Sequence, residues 1–142
     1  MNITREQLLL YAVTDRSWLK GETLYEQVEK ALKGGVTLVQ LREKELSEPE
    51  FEAEGRSLLE LCHCYRVPLI INDNVELAER IGADGVHVGQ SDMELTRARE
   101  ILGTDKIIGV TAKTIEQAQA AEKAGADYIA ENPHVILQLI GR

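Results

Sequence analysis

No run of about 18 apolar residues occurs in this 142-residue chain, which argues against a bilayer-spanning helix. The opening residues, Met1-Asn2-Ile3-Thr4-Arg5-Glu6-Gln7, lack the basic start and long apolar core of a secretory signal, so the cytoplasm is the expected location. Positive charge is in deficit. With 16 Lys and Arg against 24 Asp and Glu, the net charge is −8, and charge lends no support to a nucleic-acid partner. Cysteine is scarce: only Cys62 and Cys64, two apart on a predicted helix, where such residues do not face each other. His63 stands between them, but no second Cys/His cluster completes a tetrahedral metal set, so they read as packing or surface residues. What remains is ordinary globular composition, 44% apolar and 28% charged, in a chain long enough for one domain (1–142) with a real core.

Short apolar runs alternate with longer amphipathic ones. Strands are predicted at Leu8–Asp15, Thr37–Arg42, Pro68–Asp73, Gly85–Gly89, Lys106–Ala112 and from Asp127 to Ala130. Between them, helices are predicted at Glu22–Lys33, from Ser47 or Glu48 to about Tyr65, and at Asn74–Ile81, Glu94–Leu102 and Thr114–Ala124. An internal echo supports the register: Lys33-Gly34-Gly35-Val36, Ile81-Gly82-Ala83-Asp84 and Ala124-Gly125-Ala126-Asp127 each close a helix with glycine and lead into a strand. Strict alternation with short connections implies parallel strands and right-handed crossovers. The strands are nearly all apolar, as when both faces are covered. A doubly wound open sheet and a (β/α)8 barrel both fit. The first predicted strand is followed by Arg16-Ser17-Trp18-Leu19-Lys20-Gly21, not by a glycine-rich phosphate fingerprint, which favours the barrel. The fold class is therefore α/β, a TIM-type barrel with about six of its eight βα units.

In either architecture function gathers at the carboxyl ends of the strands. There stand Gln40, Arg42 and Lys44, then Asn72 and Asp73, then Gln90 and Asp92, then Thr111 and Lys113. Arg and Lys bind phosphate oxygens, one as a fork and the other as a point charge. Two aspartates on neighbouring strands can share Mg²⁺, which takes few carboxylates and fills its shell with phosphate and water. Each feature has a plainer reading: Arg-Glu-Lys as a solvated loop, Asn72-Asp73-Asn74 as a helix cap, Asp92 as the opening of the next helix. His87 reads as a satisfied core histidine, and Tyr11 and Trp18 as packing residues. The convergence on successive strand ends favours function.

The strings Tyr11-Ala12-Val13-Thr14-Asp15, Val39-Gln40-Leu41-Arg42-Glu43-Lys44, Ile70-Ile71-Asn72-Asp73, Gly82-Ala83-Asp84-Gly85-Val86-His87-Val88-Gly89-Gln90-Ser91-Asp92 and Ile108-Gly109-Val110-Thr111 closely resemble thiamine phosphate synthases, from about Leu8 to Ile129. The resemblance implies a (β/α)8 barrel that joins hydroxymethylpyrimidine diphosphate to thiazole phosphate, giving thiamine phosphate and pyrophosphate. It implies pyrimidine diphosphate binding by Gln40, Leu41, Arg42, Glu43, Lys44 and Asn72, Mg²⁺ ligation by Asp73 and Asp92, and a hydrogen bond from Thr111, where the family often has Ser. The implied chemistry is dissociative and needs no strong base. Pyrophosphate leaves first, and the thiazole nitrogen then attacks.

After Ile129 the likeness stops. Residues 130–142 form a divergent apolar tail in place of the family's Thr-x-Thr-Lys segment, and the expectation is a truncated or frameshifted barrel with two open strand edges and an uncovered interior face. A related thiazole tautomerase is one alternative. The paired Asp73 and Asp92 with Gln-Leu-Arg-Glu-Lys argue against it, because a tautomerase has no diphosphate to place. A catalytically inactive half-barrel that self-associates through its open edges, or binds a partner, is the other.

Overall fold

The computed structural model describes residues 2–89 and 92–131, with residues 92, 93 and 131 in backbone alone. The greater part of the divergent tail lies outside the described residues. Six strands alternate with five helices: β1 (Tyr11–Val13), α1 (Leu24–Lys33), β2 (Leu38–Leu41), α2 (Glu48–Cys64), β3 (Leu69–Asn72), α3 (Val75–Ile81), β4 (Gly85–Val88), α4 (Asp92–Leu102), β5 (Ile107–Ala112), α5 (Ile115–Lys123) and β6 (Tyr128–Glu131). A 3₁₀ turn, Arg16–Trp18, follows β1. The helices begin where short polar side chains can accept from the first turn. Thr23 accepts from Glu26 N, Asn74 from Leu77 N and Thr114 from Gln117 N. Ser47 and Glu50 form a reciprocal capping box ahead of α2.

All strands are parallel and lie in sequence order, β1 to β6, with no point where the order reverses. That rules out a doubly wound sheet among the described residues and leaves a curled part-barrel. The curl is direct: Tyr11 on β1 and Tyr128 on β6 share a hydrogen bond through their hydroxyls. Flat, those strands would stand on the order of 24 Å apart at about 4.8 Å per spacing.

Alternation divides the side chains. Val39, Leu41, Ile71, Val86, Val88, Ile108 and Val110 pack outward against the helices in the larger core. Leu38, Ile70, Ile107 and Tyr128 gather inside the curl, with Ile3 inserted among them at 5% exposure. The expected uncovered interior is therefore corrected, since the N-terminal segment plugs its lower end. Gly109 makes room for the Tyr128 ring: a Cβ there would sit 2.0 Å from Tyr128 Cζ. The cysteines behave as expected, Cys62 buried and Cys64 exposed. Burial, and then the nearby Asp84 charge, push the Cys62 thiol up to about 12.

The internal echo has a structural meaning beyond its glycines, although Gly35, Gly82 and Gly125 do take left-handed φ values of 103, 71 and 95°. Two residues after each of these glycines, a side chain clamps the start of the preceding strand. Thr37 N donates to Leu10 O (2.9 Å), and Leu10 N donates to Thr37 Oγ1 (2.9 Å). Asp84 N donates to Leu69 O (3.0 Å), and Leu69 N to Asp84 Oδ2 (2.8 Å). Asp127 N donates to Ile108 O (2.8 Å), and Ile108 N to Asp127 Oδ2 (2.8 Å). The clamp recurs ahead of β2, β4 and β6, so the structural repeat is a pair of βα units.

Candidate active site

The upper part of the interior is polar. Gln40 and His87 are 4% and 6% exposed, and Asn72 and Thr111 stand half-buried one strand-end higher. Asn72 Nδ2 donates to Gln40 Oε1 (2.9 Å) and Gln40 Nε2 to the Tyr11 hydroxyl (2.9 Å). His87 bonds through Nδ1 to the Tyr128 hydroxyl (2.9 Å) and through Nε2 to Thr111 Oγ1 (2.7 Å). Burial pushes His87 below the usual histidine range, against the opposing pull of the Asp73 charge, so the ring is neutral near pH 7 and can both donate and accept. It is a satisfied core histidine, as its sequence position suggested. Tyr11 is more than a packing residue, since its hydroxyl joins this layer. Trp18 is mostly exposed, at 71%, and takes no part in the core, which corrects the sequence reading.

Above this layer the loops after β1, β2 and β3 converge. Thr14, 7% exposed, fixes the second loop: its N donates to Gln40 O (3.0 Å) and its Oγ1 accepts from Arg42 N (3.0 Å). Arg16 reaches from the first loop to Glu43 (2.6 Å) and to Glu54 on α2. The Glu43 side chain is thereby enclosed, at 2% exposure, leaving Arg42 and Lys44 on either side of it in the open. Glu54 Oε1 is buried with no hydrogen-bond partner among the described residues, and burial, with the Glu43 charge, pushes that carboxyl up. Arg42 and Lys44 line a cleft of about 440 Å³ together with Thr14 and Arg16.

Lys44 Nζ lies 3.7 Å from Asp73 Oδ2, with both side chains more than half exposed. Asp73 has a left-handed φ of 62°, an uncommon conformation for a non-glycine residue. Its N donates to His87 O (2.9 Å), so the carboxylate is turned out of the sheet while the backbone remains tied to β4. Asp73 also lines a second cleft of about 450 Å³ with Glu76 and Glu94, and Gly89 forms part of its wall.

The structure thus brings together Gln40 with Asn72, and Lys44 with Asp73, and places Arg42 over the adjoining cleft. Leu41 points away, fully buried in the helix-facing core, so only its backbone is on the site's side. Asp92 is the first residue of α4; its side chain, like Gln90, lies outside the described residues. Sequence reasoning did not find Thr14, Arg16 or the tyrosines. A signal for Tyr128 was present in Gly109, a glycine inside a strand, which marks a close approach.

No group of three or more metal-ligating side chains occurs among the described residues. Magnesium does not require one. It is held by one or two carboxylates and takes its other ligands from water and phosphate. An exposed Asp73 carboxylate beside a lysine suits that demand, so the donor set fits the ion.

The family model described as thiamine monophosphate synthase matches residues 10–134. A thiamine-phosphate synthase of Clostridium acetobutylicum is 57% identical over 120 residues, covering 84% of this chain and 57% of that protein. One from Clostridium novyi is 54% identical over 120 residues, covering 84% of this chain and 59% of that protein. The chain therefore spans well under two thirds of the length of these curated relatives. A solved thiamine phosphate pyrophosphorylase from Pyrococcus furiosus superposes with a TM-score of 0.82 at 37% identity, over 90% of this chain and 61% of that one. An aldolase at 14% identity, with a TM-score of 0.67, shares the fold alone.

Proposed function

Because this chain belongs to the thiamine monophosphate synthase family, we propose that it carries the pyrimidine diphosphate and magnesium part of a site that joins hydroxymethylpyrimidine diphosphate to thiazole phosphate. The products are thiamine phosphate and pyrophosphate. The observation that carries this reading is the Lys44–Asp73 pair, 3.7 Å apart at the mouth of the barrel, above the hydrogen-bonded amides of Gln40, which is buried, and Asn72, which is half-buried.

The reaction breaks the bond between the pyrimidine's methylene carbon and the diphosphate oxygen, and the bonding pair leaves with pyrophosphate. The thiazole nitrogen supplies the pair for the new bond. No general base is required. The protein's task is to place two substrates and to stabilise the departing charge. Arg42 and Lys44 would meet the diphosphate oxygens. Asp73 and Asp92 would hold magnesium, which when bound neutralises diphosphate charge. Gln40, Asn72 and Thr111 would hold the pyrimidine. Glu43 serves through its bond to Arg16, which sets the path of the loop between Arg42 and Lys44. The family's tautomerase chemistry is a poorer fit, because it gives Arg42 and Lys44 no diphosphate to bind.

A cytoplasmic location belongs to the same proposal; no helix among the described residues is long and apolar enough to cross a membrane. Self-association is a separate inference from the edge strands β1 and β6, each paired on one side only among the described residues. Light scattering that gives a strict monomer overturns it.

The function is tested by calorimetric titration with hydroxymethylpyrimidine diphosphate, with and without Mg²⁺, followed by addition of thiazole phosphate and mass-spectrometric detection of thiamine phosphate. The expected result is magnesium-dependent binding that falls at least about tenfold in Lys44→Ala and Arg42→Ala, each of which removes a charge-assisted contact. Binding that is indifferent to magnesium and to both substitutions overturns the reading.

A further inference from the structure

We propose that Asn72, Gln40, Tyr11, Tyr128, His87 and Thr111 form a one-way hydrogen-bond relay that fixes which hydrogen-bonding sense each side of the barrel mouth offers to a bound ring. Asn72 Oδ1 is the acceptor on one side, and the Thr111 hydroxyl is the donor on the other. The inference rests on the proposed pyrimidine site and deepens it.

The six side chains come one from each strand, and the direction of every link follows from the first. Asn72 Nδ2 donates to Gln40 Oε1, which leaves Gln40 Nε2 to donate to the Tyr11 hydroxyl. The contact between the Tyr11 and Tyr128 hydroxyls can run either way, but if Tyr128 donated, the Tyr11 hydrogen would have no acceptor among the described residues, so Tyr11 donates to Tyr128. Tyr128 in turn donates to His87 Nδ1, 2.9 Å away. With Nδ1 accepting, the ring's hydrogen lies on Nε2, which donates to Thr111 Oγ1 at 2.7 Å. Among the described residues the Thr111 hydrogen has no acceptor and Asn72 Oδ1 no donor, so both face the mouth at the two ends of the relay.

Reversing any one link would set two hydrogens or two lone pairs face to face in a buried layer, and such unsatisfied groups are costly. The relay therefore has one sense as a whole. Tyr11, Tyr128, Gln40 and His87 act through Asn72 and Thr111 and are positioning residues. A ring that presents a donor and an acceptor side by side suits this arrangement, and a 4-aminopyrimidine does so with its amino N–H and ring nitrogen. The 4-oxo analogue, with a carbonyl and a ring N–H, has the opposite sense.

Two readouts test the relay. The first is ¹⁵N NMR of the His87 ring, which requires no ligand. Nε2 is expected to carry the hydrogen, and in Tyr128→Phe the Nδ1 resonance moves downfield as it loses its donor. A hydrogen on Nδ1 in the native chain overturns the relay, as does an Nδ1 resonance unmoved by Tyr128→Phe. The second is competitive binding of the 4-amino and 4-oxo pyrimidine diphosphates. The native chain is expected to prefer the amino compound by roughly tenfold, the worth of one matched hydrogen bond, and Tyr11→Phe and Tyr128→Phe should bring the ratio towards unity. An unchanged ratio in both variants overturns the positioning role. A chain that binds neither compound overturns the proposed function, and the relay is then decided by the nitrogen resonances alone.

Discussion

At the amino ends of the strands, Asp84 and Asp127 spend their carboxylates on backbone amides; at the carboxyl ends, Asp73 keeps its carboxylate free of them. Asp127 is 6% exposed and accepts from Asn2 N (2.9 Å), Ile108 N (2.8 Å) and Arg99 (3.1 Å). Asp73 is open to solvent, sits in a left-handed conformation and meets one lysine at 3.7 Å. The same residue type thus does two jobs, and its partners decide which. One end of the sheet is built for stability. The other leaves charge exposed at the mouth, where the proposed ligand site lies, as the two faces of a parallel barrel are expected to divide.

The largest effect on stability is expected at Asp127. Asp127→Ala leaves the Ile108 and Asn2 amides without their acceptor and Arg99 without its carboxylate, and the expected loss is about 3 kcal/mol. Denaturant unfolding measures it, and a loss below about 1 kcal/mol would show that the clamp is not what holds this end. The same carboxylate gives the fold an acid limit. Burial alone would raise its pKa, but the amides of Asn2 and Ile108 and the Arg99 charge outweigh that and hold it below the ordinary 3.8. A depressed folded value means that the contribution is present above the ordinary value and is lost as pH falls through the folded one. The urea midpoint should therefore drop below about pH 4 and drop less steeply in Asp127→Asn. Equal slopes in the two proteins would assign the acid limit to other groups.

A smaller effect tests whether the three clamps are equivalent. Thr37 does with a hydroxyl what the two aspartates do with a carboxylate, at the more exposed edge beside β1. Thr37→Val removes the acceptor for Leu10 N and the donor to Gln7 O (2.9 Å) while keeping the shape, and should cost about 1–2 kcal/mol, the net worth of two neutral hydrogen bonds at a partly exposed edge. A cost near that of Asp127→Ala would mean that the first clamp carries more than its bonds.

The two ends also differed in how legible they were. Helix starts were readable because a cap is local: Ser47, Asn74 and Thr114 act on amides three residues away. The glycine echo was readable for the same reason, but the clamps within it were not. Asp84 and Leu69 are fifteen residues apart, and only the fold brings them together. The first strand came out shorter than Leu8–Asp15 because its pairing begins at Tyr11 opposite Leu38, leaving Leu9 76% exposed despite its apolar character. At the upper end, the strand-end charges were visible one by one. Gln40, Asn72 and Thr111 were read as separate strand-end residues and His87 as a core histidine, but their union with the two tyrosines in one polar interior layer was not, because it runs across six strands. An apolar run suggested two dry faces, whereas the inner face changes from apolar to polar towards the mouth.

The smallest effect on stability is expected where the effect on binding is greatest. Asp73→Asn keeps the shape of the side chain, and Asn tolerates a left-handed φ at least as well as Asp. Among the described residues it loses the exposed pair with Lys44 and the charge that acts on His87, and exposed pairs contribute little. Unfolding free energy should therefore change by less than about 0.5 kcal/mol. Magnesium-dependent binding of the pyrimidine diphosphate should fall by at least about tenfold, because a neutral amide cannot replace a carboxylate as a ligand to a hard cation. Paired with Asp127→Ala, this substitution separates the two ends of the sheet: one aspartate lost to stability, the other to the ligand. If Asp73→Asn destabilised the fold as Asp127→Ala does, the left-handed turn would be a structural feature and Asp73 would belong with the clamps.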